Sequence, residues 1–155
     1  MILIAHRGLT DGPDRAFENH PKKILSSLKD GFHCEIDVWF KDDSWWLGHD
    51  EPTHKIPYEF LEQYGLWIHA KNLDALYVLR ANPTLNYFWH QEDDFTLTSQ
   101  GDIWTYPGKP LTKDSIMVMP EWDDPGFKQL KFNCLGICSD YVRVIKKLIP
   151  NDQSH

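Results

Sequence analysis

The stretch that decides the fold is Cys34-Glu35-Ile36-Asp37-Val38-Trp39-Phe40. It is apolar and rich in β-branched and aromatic side chains, which is typical of a buried β-strand. Because side chains alternate between the two faces of a strand, Glu35 and Asp37 must point to the same side. Two carboxylates side by side on a buried strand repel each other, so the pair is costly unless a cation joins them.

Further short apolar runs occur along the chain, and helical patterns separate several of them. The predicted strands are residues 2–5, 34–40, 66–70, 87–90, 103–106, 116–119 and 135–138. The predicted helices are residues 21–30, 57–64, 73–81 and 139–148, with Ser139 as the cap of the last one. This alternation predicts βα units and a largely parallel sheet. Residues 95–106 differ, because they read as a β-hairpin around Gly101 with no helix between its strands.

Composition predicts one globular domain over residues 1–150, followed by a polar C-terminal tail over residues 151–155. Hydrophobic residues make up 41% of the 155 and charged residues 25%. The formal charge of −7 argues against nucleic acid as a partner. The three cysteines form no disulfide framework, and no run approaches the roughly 20 apolar residues that cross a bilayer. The first residues lack a secretory leader pattern, so we expect a cytoplasmic protein.

Three clusters of chemically active residues lie in the first third of the chain. His6 and Arg7 end the first predicted strand, Glu35 and Asp37 lie in the second, and His49 follows a short apolar run. Taken singly, each cluster also fits a structural histidine or a solvated strand face. Together they fall at successive βα boundaries, and the carboxyl ends of parallel strands are where α/β proteins bind ligands. The combination favours a catalytic site.

The order of these clusters resembles a known family. His6-Arg7-Gly8, Glu18-Asn19, Glu35-x-Asp37 and His49-Asp50 are similar to the N-terminal signature of the glycerophosphodiester phosphodiesterase family. Fainter likenesses follow at residues 68–71, 103–105 and 136–140. The resemblance implies an α/β fold with a TIM-type (β/α) barrel. A full barrel takes ~250 residues, so we expect a shortened or incomplete one with some helices missing.

The resemblance also implies a metal-dependent phosphodiesterase. One histidine would take a proton from the attacking hydroxyl while the other protonates the leaving oxygen, and a divalent cation would neutralise the phosphate. The residues that it implies are the catalytic His6, Arg7, His49 and Lys71, the substrate-binding Glu18 and Asn19, and the metal ligands Glu35 and Asp37.

The chain departs from the family pattern at the third metal carboxylate, where it has His69. Hard oxygen ligands suit Mg²⁺ or Ca²⁺, whereas imidazole suits Mn²⁺ or Zn²⁺ better. Either His69 is a ligand and the preferred metal has changed, or it contacts the substrate and another carboxylate takes its place. The candidate carboxylates are Glu121 and, after the fourth predicted strand, Glu92, Asp93 and Asp94. His90 ends an aromatic strand and is a candidate for binding a sugar or glycerol group.

The sequence therefore predicts a phosphodiesterase that hydrolyses a small glycerol- or sugar-bearing phosphodiester, with Mg²⁺ or Ca²⁺ as the first expectation and Mn²⁺ or Zn²⁺ as alternatives. Two other functions stay open. One is a lyase or phosphatase that uses the same residues. The other is a degenerate phosphate- or sugar-binding or regulatory module on the same barrel. The missing helices would leave apolar wall exposed, and a homodimer would cover it.

Overall fold

Residues 1–150, which a computed structural model describes, form a single ten-stranded sheet with three α-helices. The strands are β1 (Ile2–Ala5), β2 (His33–Lys41), β3 (Ser44–Leu47), β4 (His54–Ile56), β5 (Leu66–Ala70), β6 (Tyr87–Phe88), β7 (Phe95–Leu97), β8 (Ile103–Thr105), β9 (Ser115–Val118) and β10 (Gly136–Ser139). The helices are α1 (Pro21–Lys29), α2 (Leu73–Leu79) and α3 (Val142–Leu148).

Seven of these strands run parallel, in the order β6-β5-β2-β1-β10-β9-β8. β7 pairs antiparallel with β8, and the β3–β4 hairpin continues from the far end of β2. Eight strands, from β6 to β7 in the sheet, curl towards a barrel, but β6 and β7 are not paired with each other as strands. The backbone N–H of Ser99, beyond β7, donates to the Tyr87 carbonyl in β6 (2.7 Å), so the two edges of the curl touch. This mixed α/β architecture fits an incomplete barrel.

The curled sheet has two apolar cores. The outer one lies between the sheet and the helices and includes Ile24 of α1, Ala75 of α2 and Val142 of α3. The inner one lies within the curl, where six buried side chains pack together: Ile4, Trp67, Phe88, Trp104, Ile116 and Cys138. Because inward-facing residues recur every second position, the next inward positions lie at the carboxyl ends of the strands.

Local chemistry explains where the helices begin. Pro21 occupies the first turn of α1, and the ring Nδ1 of His20 accepts from the backbone N–H of Lys22 (3.2 Å). Asn72 caps α2 in the usual way, because its Oδ1 accepts from the backbone N–H of Ala75 (3.1 Å). Each cap satisfies a backbone donor that the helix itself leaves unpaired.

The predicted secondary structure needs three corrections. Ser139 is not the cap of the last helix, because it belongs to β10 and α3 begins at Val142. Residues 57–64 form only a short 3₁₀ turn, Tyr58–Glu62. The fourth predicted strand ends at Phe88, so His90 lies in the loop that follows. The hairpin at residues 95–106 is confirmed, with Gly101 at a φ of 90° in its turn.

No helix among residues 1–150 is long and apolar enough to cross a membrane. Over the same residues the three cysteines are free thiols. No α-helix follows β7, β8 or β9 in the chain, and Phe95 and Leu97 of β7 are exposed. The homodimer predicted to cover such a wall stays a prediction, as does the polar tail at residues 151–155, which lies outside the described residues.

Candidate active site

Most of the sequence-predicted residues converge in one cleft at the carboxyl ends of the parallel strands. The cleft has a volume of about 240 Å³. Charged and titratable groups form one side of it: His6, Arg7, Glu35, Asp37, His49, His69, Lys71 and His90. The other side is formed by uncharged groups, mainly Trp104, Tyr106, Pro107, Val118, Met119 and Trp122. The structure thus brings together residues that are far apart in sequence.

Glu35 and Asp37 are both buried, with 3% and 1% of their surface exposed, and both face this cleft. One oxygen of each carboxylate is held by the protein. Glu35 Oε2 accepts from the backbone N–H of Arg7 (3.1 Å), and Asp37 Oδ2 accepts from Asn19 Nδ2 (2.8 Å). The other oxygens, Glu35 Oε1 and Asp37 Oδ1, lie towards His69.

Arg7 and Asn19 owe their positions to an unusual local backbone. Both residues have positive φ, 51° for Arg7 and 55° for Asn19, and the backbone N–H of Asn19 donates to the Arg7 carbonyl (3.0 Å). Arg7 pairs with Glu18 (3.0 Å) and places Nε 3.2 Å from Asp37. Gly8 follows at a φ of 79°, where a Cβ would lie 3.0 Å from Ile24, so a larger residue would be strained in this turn. Such strain is common at functional sites.

His69 joins the carboxylates to form a group that could hold a metal ion. One ligand atom from each of Glu35, Asp37 and His69 lies within 4.8 Å of the others. His69 Nδ1 is 3.1 Å from Asp37 Oδ1 and 3.8 Å from Glu35 Oε1. Its Nε2 is 2.8 Å from the His90 carbonyl. The ring also stacks on Phe88, with an angle of 10° between the two planes.

His6 is held by a carboxylate from the opposite end of the chain. Its Nδ1 lies 2.8 Å from Asp140 Oδ1. Because an ionised carboxylate only accepts, Nδ1 carries the proton and Nε2 is left to exchange one. Asp140 is fixed in turn, since its backbone N–H donates to Glu121 Oε1 (3.0 Å). Asp140 therefore orients His6, a contact that spans 134 residues of sequence.

His49 follows β3 in a loop that glycine makes possible. Gly48 has a φ of 150°, and a Cβ there would lie 2.0 Å from the Glu51 carbonyl. The Gly48 carbonyl accepts from Trp39 Nε1 (2.6 Å), which ties the loop to β2. His49 Nδ1 lies 2.7 Å from Asp50 Oδ1, so its Nε2 is the nitrogen left for proton transfer. His6 and His49 therefore present the same ring atom.

The surroundings shift the pKa values of the two buried carboxylates in opposite directions. Burial, and then the nearby charge of Asp37, raises the pKa of Glu35. Burial also acts to raise the pKa of Asp37, but His69, Arg7 and Lys71 outweigh it and hold that pKa well below its usual value. For His6, burial lowers the pKa, and the stronger combined effect of Asp140 and Glu35 raises it overall. Of the two, Glu35 is therefore the carboxylate whose negative charge is less well balanced by neighbouring positive charge.

Other predicted site residues have different surroundings. Glu121 does not join the Glu35–Asp37–His69 group. Its Oε1 accepts from Ser139 and Asp140, and its buried Oε2 has no partner among the described residues. Glu92, Asp93 and Asp94 lie in the exposed loop after β6, where Asp94 pairs with Lys109 (2.9 Å). His90 lines the cleft, and its Nε2 donates to the Asp93 carbonyl (2.6 Å). Glu18 and Asn19 contact Arg7 and Asp37, which they help to position.

Comparisons with known proteins place the chain in no family. No family model matches it, and no curated protein or solved structure matches it either. The resemblance to the glycerophosphodiester phosphodiesterases therefore stands on the residues quoted from the sequence, and the function has to be argued from the cleft.

Two features of the cleft were not predicted from the sequence. Asp140 was part of a faint likeness but had no role, because nothing local shows that β10 lies beside β1. The uncharged wall was also missed as a unit, since Trp104 and Tyr106 lie at the end of β8 whereas Trp122 follows β9. Their distribution after successive strands is a signal that could have found them, because the ends of parallel strands share one edge.

Proposed function

We propose that this protein is a metal-dependent phosphodiesterase that hydrolyses a small glycerol- or sugar-bearing phosphodiester. One observation carries the proposal. A group able to hold a cation, two cationic side chains and two histidines with free Nε2 atoms line the same cleft. Phosphodiester cleavage needs these parts, because an anionic substrate must be neutralised and two oxygens must exchange protons.

The residues present fit a divalent cation. Glu35 and Asp37 each direct one oxygen to the point where His69 directs Nδ1. Carboxylate oxygens and imidazole nitrogen are ordinary ligands of divalent metals. A cation bound by Glu35, Asp37 and His69 would supply positive charge that polarises the phosphoryl group.

The charge balance supports the same conclusion. The charges of Glu35 and Asp37 offset those of Arg7 and Lys71, whose Nζ lies 3.7 Å from Asp37 Oδ1. Without a further positive charge the cleft would have nothing left with which to bind an anion. With the carboxylates neutralised by a cation, Arg7 and Lys71 are available to the phosphate oxygens.

His6 and His49 divide the proton transfers between them. In its neutral form each ring has a lone pair on Nε2, because Nδ1–H donates to a carboxylate. One ring accepts the proton of the attacking hydroxyl, and the other, protonated, donates to the leaving alkoxide. General acid–base catalysis of this kind is worth ~10²–10⁴-fold for each group.

The uncharged side of the cleft is suited to binding a neutral alcohol group of the substrate. Trp122 and Tyr106 line it and are 61% and 39% exposed. Aromatic faces bind the apolar face of a sugar or polyol, and His90 adds a polar contact at the same opening. That wall has no cation to bind a second phosphate.

We further propose that the curled sheet is a shortened TIM-type barrel. Chain neighbours β1 and β2, β5 and β6, and β8, β9 and β10 are also neighbours in the sheet. An α-helix follows β1, β5 and β10, but none comes between β8 and β9 or between β9 and β10. A cytoplasmic location and a homodimer remain predictions from the sequence.

The experiment is phosphodiester hydrolysis by metal-stripped protein. Glycerophosphodiesters and sugar phosphodiesters would be tested with Mg²⁺, Ca²⁺, Mn²⁺ or Zn²⁺ added back. We expect at least one ion to restore turnover, and His6→Ala and Glu35→Ala to abolish it while keeping the circular dichroism spectrum of the wild type. Glu92→Ala, in the exposed loop after β6, is the matched control and should keep full activity.

The possible products separate the alternatives. Release of an alcohol and a phosphomonoester supports hydrolysis, whereas accumulation of a cyclic phosphate identifies a lyase. If no ion raises turnover above that of Glu35→Ala on any diester, the proposal fails. Substrate binding without turnover would then identify a binding module.

A further inference from the structure

The His69 ring is held in a single tautomer. Its Nε2 lies 2.8 Å from the His90 carbonyl, and a carbonyl oxygen can only accept. Nε2 therefore carries a proton and donates. Stacking on Phe88, at a centroid distance of 5.1 Å, fixes the plane of the same ring. In the neutral ring the lone pair then lies on Nδ1, which points at the two buried carboxylates.

Three acceptors thus face one another. His69 Nδ1 lies 3.1 Å from Asp37 Oδ1 and 3.8 Å from Glu35 Oε1. Lone pairs at these separations repel unless something positive lies among them, either a proton on Nδ1 or a metal ion. Metal-binding histidines almost always donate their other ring N–H to a carbonyl or carboxylate, as His69 does to His90.

The two carboxylates are also oriented by the protein, each through one of its oxygens. Asn19 and Arg7 hold Asp37 Oδ2, and the backbone N–H of Arg7 holds Glu35 Oε2. Each of the three side chains therefore uses one polar atom in a contact with the protein and directs its other polar atom towards the remaining two side chains. Asp37 Oδ1 also lies 3.7 Å from Lys71 Nζ, which is too far for a hydrogen bond. The set left over is one nitrogen and two oxygens.

We propose that the site binds a transition metal of the Mn²⁺ or Zn²⁺ class in preference to Mg²⁺ or Ca²⁺, with His69 Nδ1 as a direct ligand. This inference rests on the proposed function in one respect only, which is the premise that the site binds a metal ion. Imidazole nitrogen binds transition metals well and Mg²⁺ or Ca²⁺ poorly, so His69 sets the preference. The His90 carbonyl acts through His69, because it fixes the proton of the neutral ring on Nε2 and leaves the lone pair on Nδ1.

The first test is spectroscopic and needs no substrate. Metal-stripped protein would be loaded with one equivalent of Mn²⁺ and examined by pulsed electron paramagnetic resonance for coupling to ¹⁴N. Among residues 1–150, His20 and His54 form a partly exposed pair with ring centroids 4.9 Å apart, which could bind metal by itself. The experiment therefore uses the His20→Gln/His54→Gln protein as its background.

In that background we expect a nitrogen coupling that His69→Gln removes and His49→Gln leaves in place. Absence of the coupling in the starting protein, or its persistence in His69→Gln, would overturn the proposal. Failure to bind Mn²⁺ at all would do the same and would identify a proton on Nδ1 as the charge that joins the three groups.

The second test compares affinities by calorimetry. Most protein sites bind Zn²⁺ and Mn²⁺ more tightly than Mg²⁺, so the wild-type ratio alone decides nothing. The informative variant is His69→Glu, which replaces nitrogen by a third carboxylate. We expect it to lower the ratio of Mn²⁺ to Mg²⁺ affinity, on the order of 10-fold or more. An unchanged ratio would contradict the role given to His69.

These results are independent of catalysis. If the nitrogen coupling and the change in ratio are found but no phosphodiester is cleaved, the metal site stands and the proposed function fails. If Mg²⁺ supports full turnover and no nitrogen coupling is seen, the function stands and the metal preference is wrong.

Discussion

Along four strands, the inside of the curled sheet has two layers that lie only two residues apart in the chain. Ile4, Trp67, Phe88 and Cys138 form part of the inner apolar core. The residues two positions later in the chain are His6, His69, His90 and Asp140, and these are the groups that face or support the cleft. Two residues along a strand therefore separate the apolar layer, which stabilises the fold, from the polar layer, which has the chemistry to act on a ligand.

The difference shows how the fold accommodates a costly site. Buried carboxylates and histidines need hydrogen-bond partners, which here come from Asn19, the Arg7 backbone and the His90 carbonyl. The layer below supplies the apolar burial that offsets the cost. We expect changes in the apolar layer to reduce stability and changes in the polar layer to reduce activity without such a loss of stability.

The largest effect on stability should come from the apolar layer. Ile116 is fully buried there, so Ile116→Ala creates a cavity and should cost about 2–5 kcal/mol of unfolding free energy. The fraction that remains folded should keep its turnover, since Ile116 does not line the cleft. Urea denaturation and activity at low temperature measure the two quantities, with Ile116→Val as a milder control. Lost activity in fully folded Ile116→Ala would break the distinction between the layers.

Asp140→Asn should affect activity with little loss of stability. Asp140 orients His6, and together with Glu35 it raises the pKa of that ring against the effect of burial. Removing its charge lowers the pKa of His6, so the limb of the pH–rate profile that reports His6 should move to lower pH. We expect turnover to fall by roughly 10- to 100-fold. A change in rate with no movement of the limb would contradict the role of Asp140.

The structure could be predicted from sequence where the signals are local. The shared face of Glu35 and Asp37 follows from the two-residue repeat of a strand, and the hairpin at Gly101 follows from its turn. Asp140 and the His90 carbonyl could not be placed, because their contacts with His6 and His69 depend on the curl of the sheet. Ser139 was misassigned as a helix cap, since its hydroxyl donates to Glu121, another distant partner.

The smallest effect should come from a titratable group that contacts the apolar layer. His33 Nδ1 accepts from Trp67 Nε1 (3.1 Å), and burial lowers the pKa of His33. A lowered pKa in the folded state means that the unfolded state takes up the proton first. Stability should therefore be lost as the pH falls from the usual histidine value towards the lowered one.

His33→Gln should reduce this loss while leaving turnover unchanged, because His33 is not part of the cleft. Chemical denaturation at neutral pH and at pH values below the usual histidine pKa measures the difference. If the variant loses as much stability on acidification as the wild type does, His33 is not the group responsible.

The central claim is that the polar layer is built around a cation, and the thermal stability of Glu35→Gln tests it most directly. Burial and Asp37 raise the pKa of Glu35, so ionised Glu35 destabilises the folded state as the pH rises above the usual value for glutamate. Without metal at neutral pH, Glu35→Gln should therefore melt above the wild type. Added Mn²⁺ or Zn²⁺ should raise the melting temperature of the wild type and not that of Glu35→Gln. The claim would be contradicted if metal-free Glu35→Gln melted below the wild type and metal left the melting temperature of the wild type unchanged. The charged side chains of the layer would then balance one another without a cation.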